Sequence, residues 1–155
     1  MHDMLVRLYA LPALDDALAA VARDGVTVRR ALAAERPAVL AWLVSGFASS
    51  AAEVETAFAQ VPTTCFIALR DQAILGFACH DVTCPNFFGP EGVAANERGK
   101  GIGRALLLSA LHAQRARGYA YAIIGGVGPA EFYAKTVGAV PIVGSTPGIY
   151  GGMLR

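Results

Sequence analysis

The stretch "ANERGKGIGRALL", residues 95–107, decides how this chain reads. Glycines stand at 99, 101 and 103, basic side chains at 98, 100 and 104, and an apolar helical pattern begins at once. Glycine lets successive backbone N–H groups converge without side-chain obstruction, and a helix N-terminus adds partial positive charge. The two together make a seat for a phosphate group, to which Arg98, Lys100 and Arg104 add charge-assisted contacts. A glycine-rich entry into a surface helix is the plainer alternative.

The wider chain limits what could sit there. Its 155 residues are 55% hydrophobic and 16% charged, which fits one folded domain with a real core and excludes disorder. Net charge is only +1, but residues 1–97 carry 6 Lys/Arg against 11 Asp/Glu, and residues 98–155 carry 7 against 1. Anion binding therefore points to the C-terminal third. No basic run interleaved with aromatics suggests nucleic acid. Cys65, Cys79 and Cys84 have no CxxC spacing, so they read as thiols of a reducing cytoplasm, without a metal site. The start resembles no secretory signal. The charge-free stretch 136–154 holds five glycines and two prolines, so no membrane span is expected.

Periodicity predicts a strand within "MLVRLYALP" (4–12), a helix over 13–23 and a strand over 26–32. Helices follow at 35–47 and 50–60, stopped by Pro62. "TCFIALRD" and "AILGFACHDV" form a hairpin about Asp71 and Gln72. "NFFGPEGV" is a strand that Pro90 must kink or bulge, because proline cannot donate to a ladder. An amphipathic helix spans 102–117, with Ile102, Leu106, Ala110 and Ala113 on its apolar stripe. "YAYAIIGG" is a buried strand, and Pro129 opens a helix running to Val137. "AVPIVGS" and "GIYGGML" are expected as closing strands. The class is mixed α/β: an antiparallel first half, then a strand–helix–strand crossover, with helices on both faces.

Three phosphate motifs fail at the glycine segment. Leu106 and Arg104 break the two registers of GxGxxG, and Ala94 and Gly101 break the P-loop. The acidic-x-G-x-G-x-G pattern of methyltransferases fits Glu97 to Gly103 literally. However, Asn96, Glu97 and Arg98 interrupt the strand end it needs, and only 52 residues remain for the rest of a doubly wound sheet.

A fourth pattern, Arg/Gln-x-x-Gly-x-Gly/Ala, is met by Arg98, Gly101 and Gly103. With the kinked strand before it and "EFYAKTVGA" after it, the chain over about residues 26–155 resembles the GNAT superfamily of N-acetyltransferases. The resemblance implies a GNAT-type mixed sheet and acetyl-CoA as cofactor, with its pyrophosphate on the turn formed by Arg98, Gly99, Lys100, Gly101, Ile102, Gly103 and Arg104. It implies a pantetheine arm paired with the main chain of Val93 and Ala95, and direct attack of an amine on the thioester. Tyr133 matches the family's tyrosine that protonates the leaving thiolate. Asp81 or Glu91, with His80 beside the former, is a candidate general base, and a water chain is an alternative.

The acceptor is expected to be a small-molecule or peptide amine. Trp42 and Phe47 would wall its side of the cleft, while Ser145 and Tyr150 serve either as polar contacts or as loop packing. Gly138-Ala139 and Gly125-Gly126 depart from the family pattern. Residues 1–25 precede its first strand, as an appended element of the one domain 1–155, a homodimer contact, or the remnant of a tandem domain. A CoA-binding module without turnover is the alternative function, and a SAM-dependent methyltransferase the more distant one.

Overall fold

The computed structural model describes residues 1–154. Seven strands form one sheet: β1 (Met4–Arg7), β2 (Thr27–Arg30), β3 (Cys65–Arg70), β4 (Ala73–His80), β5 (Phe87–Val93), β6 (Tyr121–Ile124) and β7 (Val140–Pro141). Five α-helices accompany them: α1 (Leu14–Ala22), α2 (Arg36–Leu43), α3 (Ala51–Phe58), α4 (Ile102–Ala116) and α5 (Ala130–Val137). The spatial order is β2-β3-β4-β5-β6-β1-β7, and only the β5–β6 pair is parallel. This is the mixed sheet with a late crossover that the sequence predicts.

Alternation along the strands sorts side chains to two faces. Phe77, Cys79, Cys65 and Ile67 pack with Val39 and Leu43 of α2 and Val54 and Phe58 of α3. Ala68, Ala78, Ala122 and Ile124 pack on the other face with Leu106, Leu107, Leu108 and Leu111 of α4. Burial on α4 is wider than its predicted stripe because α1 covers its outer side: Ala17 and Val21 join the same cluster, and His112 Nε2 lies 2.8 Å from the Pro12 carbonyl. Each such buried leucine contributes about 1.5–3 kcal/mol.

The β3–β4 hairpin turns at Asp71 (φ +48°) and Gln72 (φ +66°), the primed-turn geometry of a two-residue loop. Between β4 and β5 the register steps from Ala78↔Glu91 to His80↔Phe88, two residues against three. The extra residue is the bulge that Pro90 demands, and Gly89 accommodates it at φ +117°.

Two expectations are corrected at the termini. "GIYGGML" forms a short 3₁₀ turn over Gly148–Tyr150, because Pro147 and left-handed Gly148 (φ +57°) and Gly152 (φ +75°) break an extended path. The strand in "AVPIVGS" contracts to Val140–Pro141. β1 then occupies an interior place in the sheet, antiparallel to β6 through Met4↔Ile124 and to β7 through Met4↔Pro141. Met4, Val6 and Leu8 are buried, so residues 1–25 are structurally integral.

Candidate active site

Strands β5 and β6 pair only at Phe87↔Ile123 and Phe88↔Ile124, then separate. The bulge at Gly89–Pro90 turns one strand aside, while Gly125 and Gly126 end the other. Asp3 fixes that end by accepting from the Gly126 N–H at 2.8 Å. A cavity of about 410 Å³ lies beside the opening, lined by Phe47, by Glu91, Gly92 and Val93 of β5, by Arg98, Gly99, Gly101, Gly103 and Arg104 of the turn, and by Pro129, Phe132 and Tyr133 at the start of α5.

The glycine turn enters α4 as its composition requires. Gly99 and Gly101 are left-handed at φ +76° and +86°, and Gly101 is the residue before the first helical position. The Gly101 carbonyl accepts from Ala105, so the first-turn N–H groups of Ile102, Gly103 and Arg104 stay free for an anion. Arg98, Gly99, Gly101, Gly103 and Arg104 line the cavity. The Ile102 side chain is in the core, leaving only its backbone available. Lys100 donates to Glu97 at 3.1 Å instead of facing the cavity, and Ala95 lies in an exposed 3₁₀ turn. The Val93 carbonyl, expected to pair with pantetheine, accepts from Arg98 Nε at 3.1 Å.

Glu91 and Tyr133 meet within the cavity. The tyrosine hydroxyl donates toward Glu91 Oε2 at 3.4 Å, while Glu91 Oε1 is enclosed without a hydrogen-bond partner. Burial pushes the Glu91 carboxyl up to about 8. Burial, and then the nearby Glu91, also raises the Tyr133 phenol, which stays protonated through the physiological range. Phe132 packs edge-on to Tyr133 with centroids 5.1 Å apart and reaches the cavity wall. Val93, Phe132 and Glu91 crowd about Gly103, where a Cβ would sit 3.7 Å from each.

Asp81 is placed elsewhere. Its carboxylate lies 2.6 Å from His80 Nδ1, accepts from Arg117 at 3.1 Å, and accepts from the Asn86 N–H at 2.6 Å. These partners outweigh burial and hold its pKa below the usual carboxylate value. His80 is fully buried and its pKa is lowered, chiefly by that burial. Neither residue lines the cavity.

On the α2/α3 side, Phe47 lies directly on Gly92, the one position of β5 where any side chain would collide with its ring. Trp42 stacks on Phe47 at 5.3 Å. Ser145 serves packing, since its hydroxyl donates to Ile142 and accepts from the Asp3 N–H. Gly92 and Pro129 are cavity residues the sequence reading missed. A glycine inside a strand signals close approach, but nothing local says by what.

The mixed sheet thus opens at its one parallel pair, and one cavity beside the opening holds both a helix N-terminus and a phenol–carboxyl pair. The model of the acetyltransferase (GNAT) family matches residues 32–138, and the chain belongs to that family. No curated protein matches the sequence.

Among solved structures, the glucosamine N-acetyltransferase region of a fungal multi-domain GH3 β-N-acetylglucosaminidase aligns with TM-score 0.76 and 15% identity, over 91% of this chain and 19% of that one. A GCN5-related N-acetyltransferase from Sphaerobacter thermophilus aligns with TM-score 0.61 and 19% identity, over 91% and 48%. An aminoglycoside acetyltransferase from an uncultured soil metagenomic sample gives 0.51 and 15%, over 72% and 84%. This chain spans under half the length of the first two, and all three likenesses concern the fold. Among the described residues, no helix is long and apolar enough to cross a membrane, and no group of His, Cys, Asp and Glu could hold a metal ion.

Proposed function

We propose that the chain is an acetyl-CoA-dependent N-acetyltransferase whose acceptor amine attacks the thioester directly. The observation that carries the reading is one cavity joining the free N–H groups of α4 to the Glu91–Tyr133 pair. The cofactor would place its pyrophosphate on Gly101 to Arg104, with Arg98 and Arg104 in support, and its pantetheine arm beside Gly92 and Val93. Arg98 must then release the Val93 carbonyl for the arm to pair there.

In this reading acetyl-CoA supplies the activated acyl group. Tyr133, protonated at rest, would give its proton to the departing thiolate, Glu91 at hydrogen-bond range would restore it, and the proton shed by the amine would return to the Glu91 carboxylate, directly or through water. A carboxyl near 8 can hold or accept a proton at physiological pH, which Asp81 cannot do from its ion pairs. The reading carries a reducing cytoplasmic setting, supported by the free thiols of Cys65, Cys79 and Cys84.

Calorimetric titration with acetyl-CoA tests it, with S-adenosylmethionine and NAD as controls. Saturable binding of acetyl-CoA alone is expected, abolished by Gly101→Glu and weakened at least about tenfold by the charge reversal Arg104→Glu. Arg104→Glu leaves the left-handed glycine intact, so it reads the site even where Gly101→Glu fails to fold. No binding at millimolar acetyl-CoA overturns the reading.

A further inference from the structure

The opening between β5 and β6 has a second side, and the C-terminal turn reaches it. Gly125 is the first residue after β6, just beyond the last β5–β6 pair. Any Cβ there would collide with the Tyr150 hydroxyl and would meet the Phe87 ring at 3.0 Å. The absent side chain is therefore what lets the Tyr150 phenol lie against the strand at the point of separation. Gly126 extends this floor, with Tyr150 Cε2 3.7 Å from where its Cβ would be.

Strand alternation places Tyr150 relative to the cavity. Glu91 and Val93 project with Gly103 toward α4, while Gly92, beneath Phe47, faces α2 and α3. Phe88 belongs to the α4-side core, so Phe87, and the Gly125 and Tyr150 it touches, lie on the α2/α3 side. The sheet opening thus has Glu91 and Tyr133 on one face and Tyr150 on the other.

Tyr150 is half-buried, yet among the described residues its hydroxyl makes no hydrogen bond. Among the described residues, Asp3, Glu53 and Cys84 are the ionisable groups near enough to influence it, each favouring the protonated phenol, and no cation is among them. Two of those groups are already engaged: Asp3 holds Gly126 N–H, and Glu53 accepts from Thr83 at 2.6 Å. They supply a negative field, and the free phenol oxygen supplies the contact.

Building on the acetyltransferase reading, we propose that Tyr150 is the acceptor-positioning residue. Its hydroxyl receives a hydrogen bond from an amine that enters from the α2/α3 side, and the field around it selects amines without a neighbouring carboxylate. A cationic amine is drawn in, whereas one carrying an anionic group beside the amine is repelled by Asp3 and Glu53.

The test uses the full chain, acetyl-CoA and matched amines that differ in one charge: glycinamide with glycine, and tryptamine with tryptophan. Release of the CoA thiol should favour each uncarboxylated partner by about tenfold or more in kcat/KM, and Glu53→Gln should narrow that ratio. Tyr150→Phe keeps the ring and the fold. It should raise KM for the preferred amine about five- to tenfold, the range of one hydrogen bond, with kcat, acetyl-CoA affinity and Tm unchanged.

Equal use of both partners overturns the inference, as does an unchanged KM in Tyr150→Phe or silence of all four amines while acetyl-CoA binds. Loss of acetyl-CoA binding by the unmodified protein would instead overturn the acetyltransferase reading beneath it.

Discussion

Replacing Glu91 by glutamine should change the pH dependence of stability in a direction set by the cavity. The buried carboxyl titrates near 8 in the folded chain, against 4.5 when solvated. Its folded pKa is raised, so the contribution is fully present below pH 4.5 and is lost as pH rises through 8. At 1.36 kcal/mol per unit, the full effect is about 5 kcal/mol. Water admitted to the cavity screens part of it, so at least about 2 kcal/mol is the expected reading. Glutamine preserves shape and a carbonyl acceptor for Tyr133 and cannot ionise.

Urea unfolding at pH 5, 6.5, 8 and 9 measures this, with the unmodified protein losing stability relative to Glu91→Gln as pH climbs. The difference between the two proteins is the quantity to read, because His80 acts in the opposite sense. Its lowered pKa makes stability rise with pH up to about 6.5 in both proteins, and no further above it. Glu35, held down to about 2 by Arg29, changes only in acid. Parallel stability curves from pH 5 to 9 would refute the reasoning, for they would mean that Glu91 is an ordinary solvated carboxylate.

Tyr133→Phe should lower kcat about 10²-fold or more while acetyl-CoA affinity in calorimetry stays within about twofold, the signature of a group acting in the transition state. Leu8→Ala, at a side chain fully enclosed after β1, should cost about 2–5 kcal/mol in urea unfolding. A cost below about 1 kcal/mol would show that the N-terminal element is not bound into the core as described.

The glycine turn was legible because its physics is local. Gly99 and Gly101 sit at positive φ, and the helix that follows declares itself by spacing. The Pro90 bulge was legible for the same reason, since a missing N–H must break a ladder wherever the strand lies. The path of the chain after Pro141 was not legible. "GIYGGML" alternates apolar residues with glycine, and only the turn built from Pro147 and two left-handed glycines removes it from the sheet. The choice between Asp81 and Glu91 was equally closed to sequence reading. Both are acids near strand ends, and what separates them is Arg117 and Asn86 on one side and an enclosed cavity on the other.

The N-terminal strand shows how a distant partner shapes the opening. β6 must hold its line after Ile124, where β5 leaves it, although only one of its edges still has a neighbour. β1 supplies that neighbour through four register pairs from Arg7↔Tyr121 to Met4↔Ile124. The support continues past the last pair, because the His2 carbonyl accepts from Val127 and the Asp3 carboxylate from Gly126. The Asp3 N–H in turn donates to Ser145, and its carbonyl accepts from Ile142, joining the C-terminal segment to the same point. One residue near the start of the chain thus fixes the strand end at Gly126 and anchors the segment that carries Tyr150. The two sides of the opening are therefore built on one backbone junction, which neither the glycine turn nor the tyrosine could reveal alone.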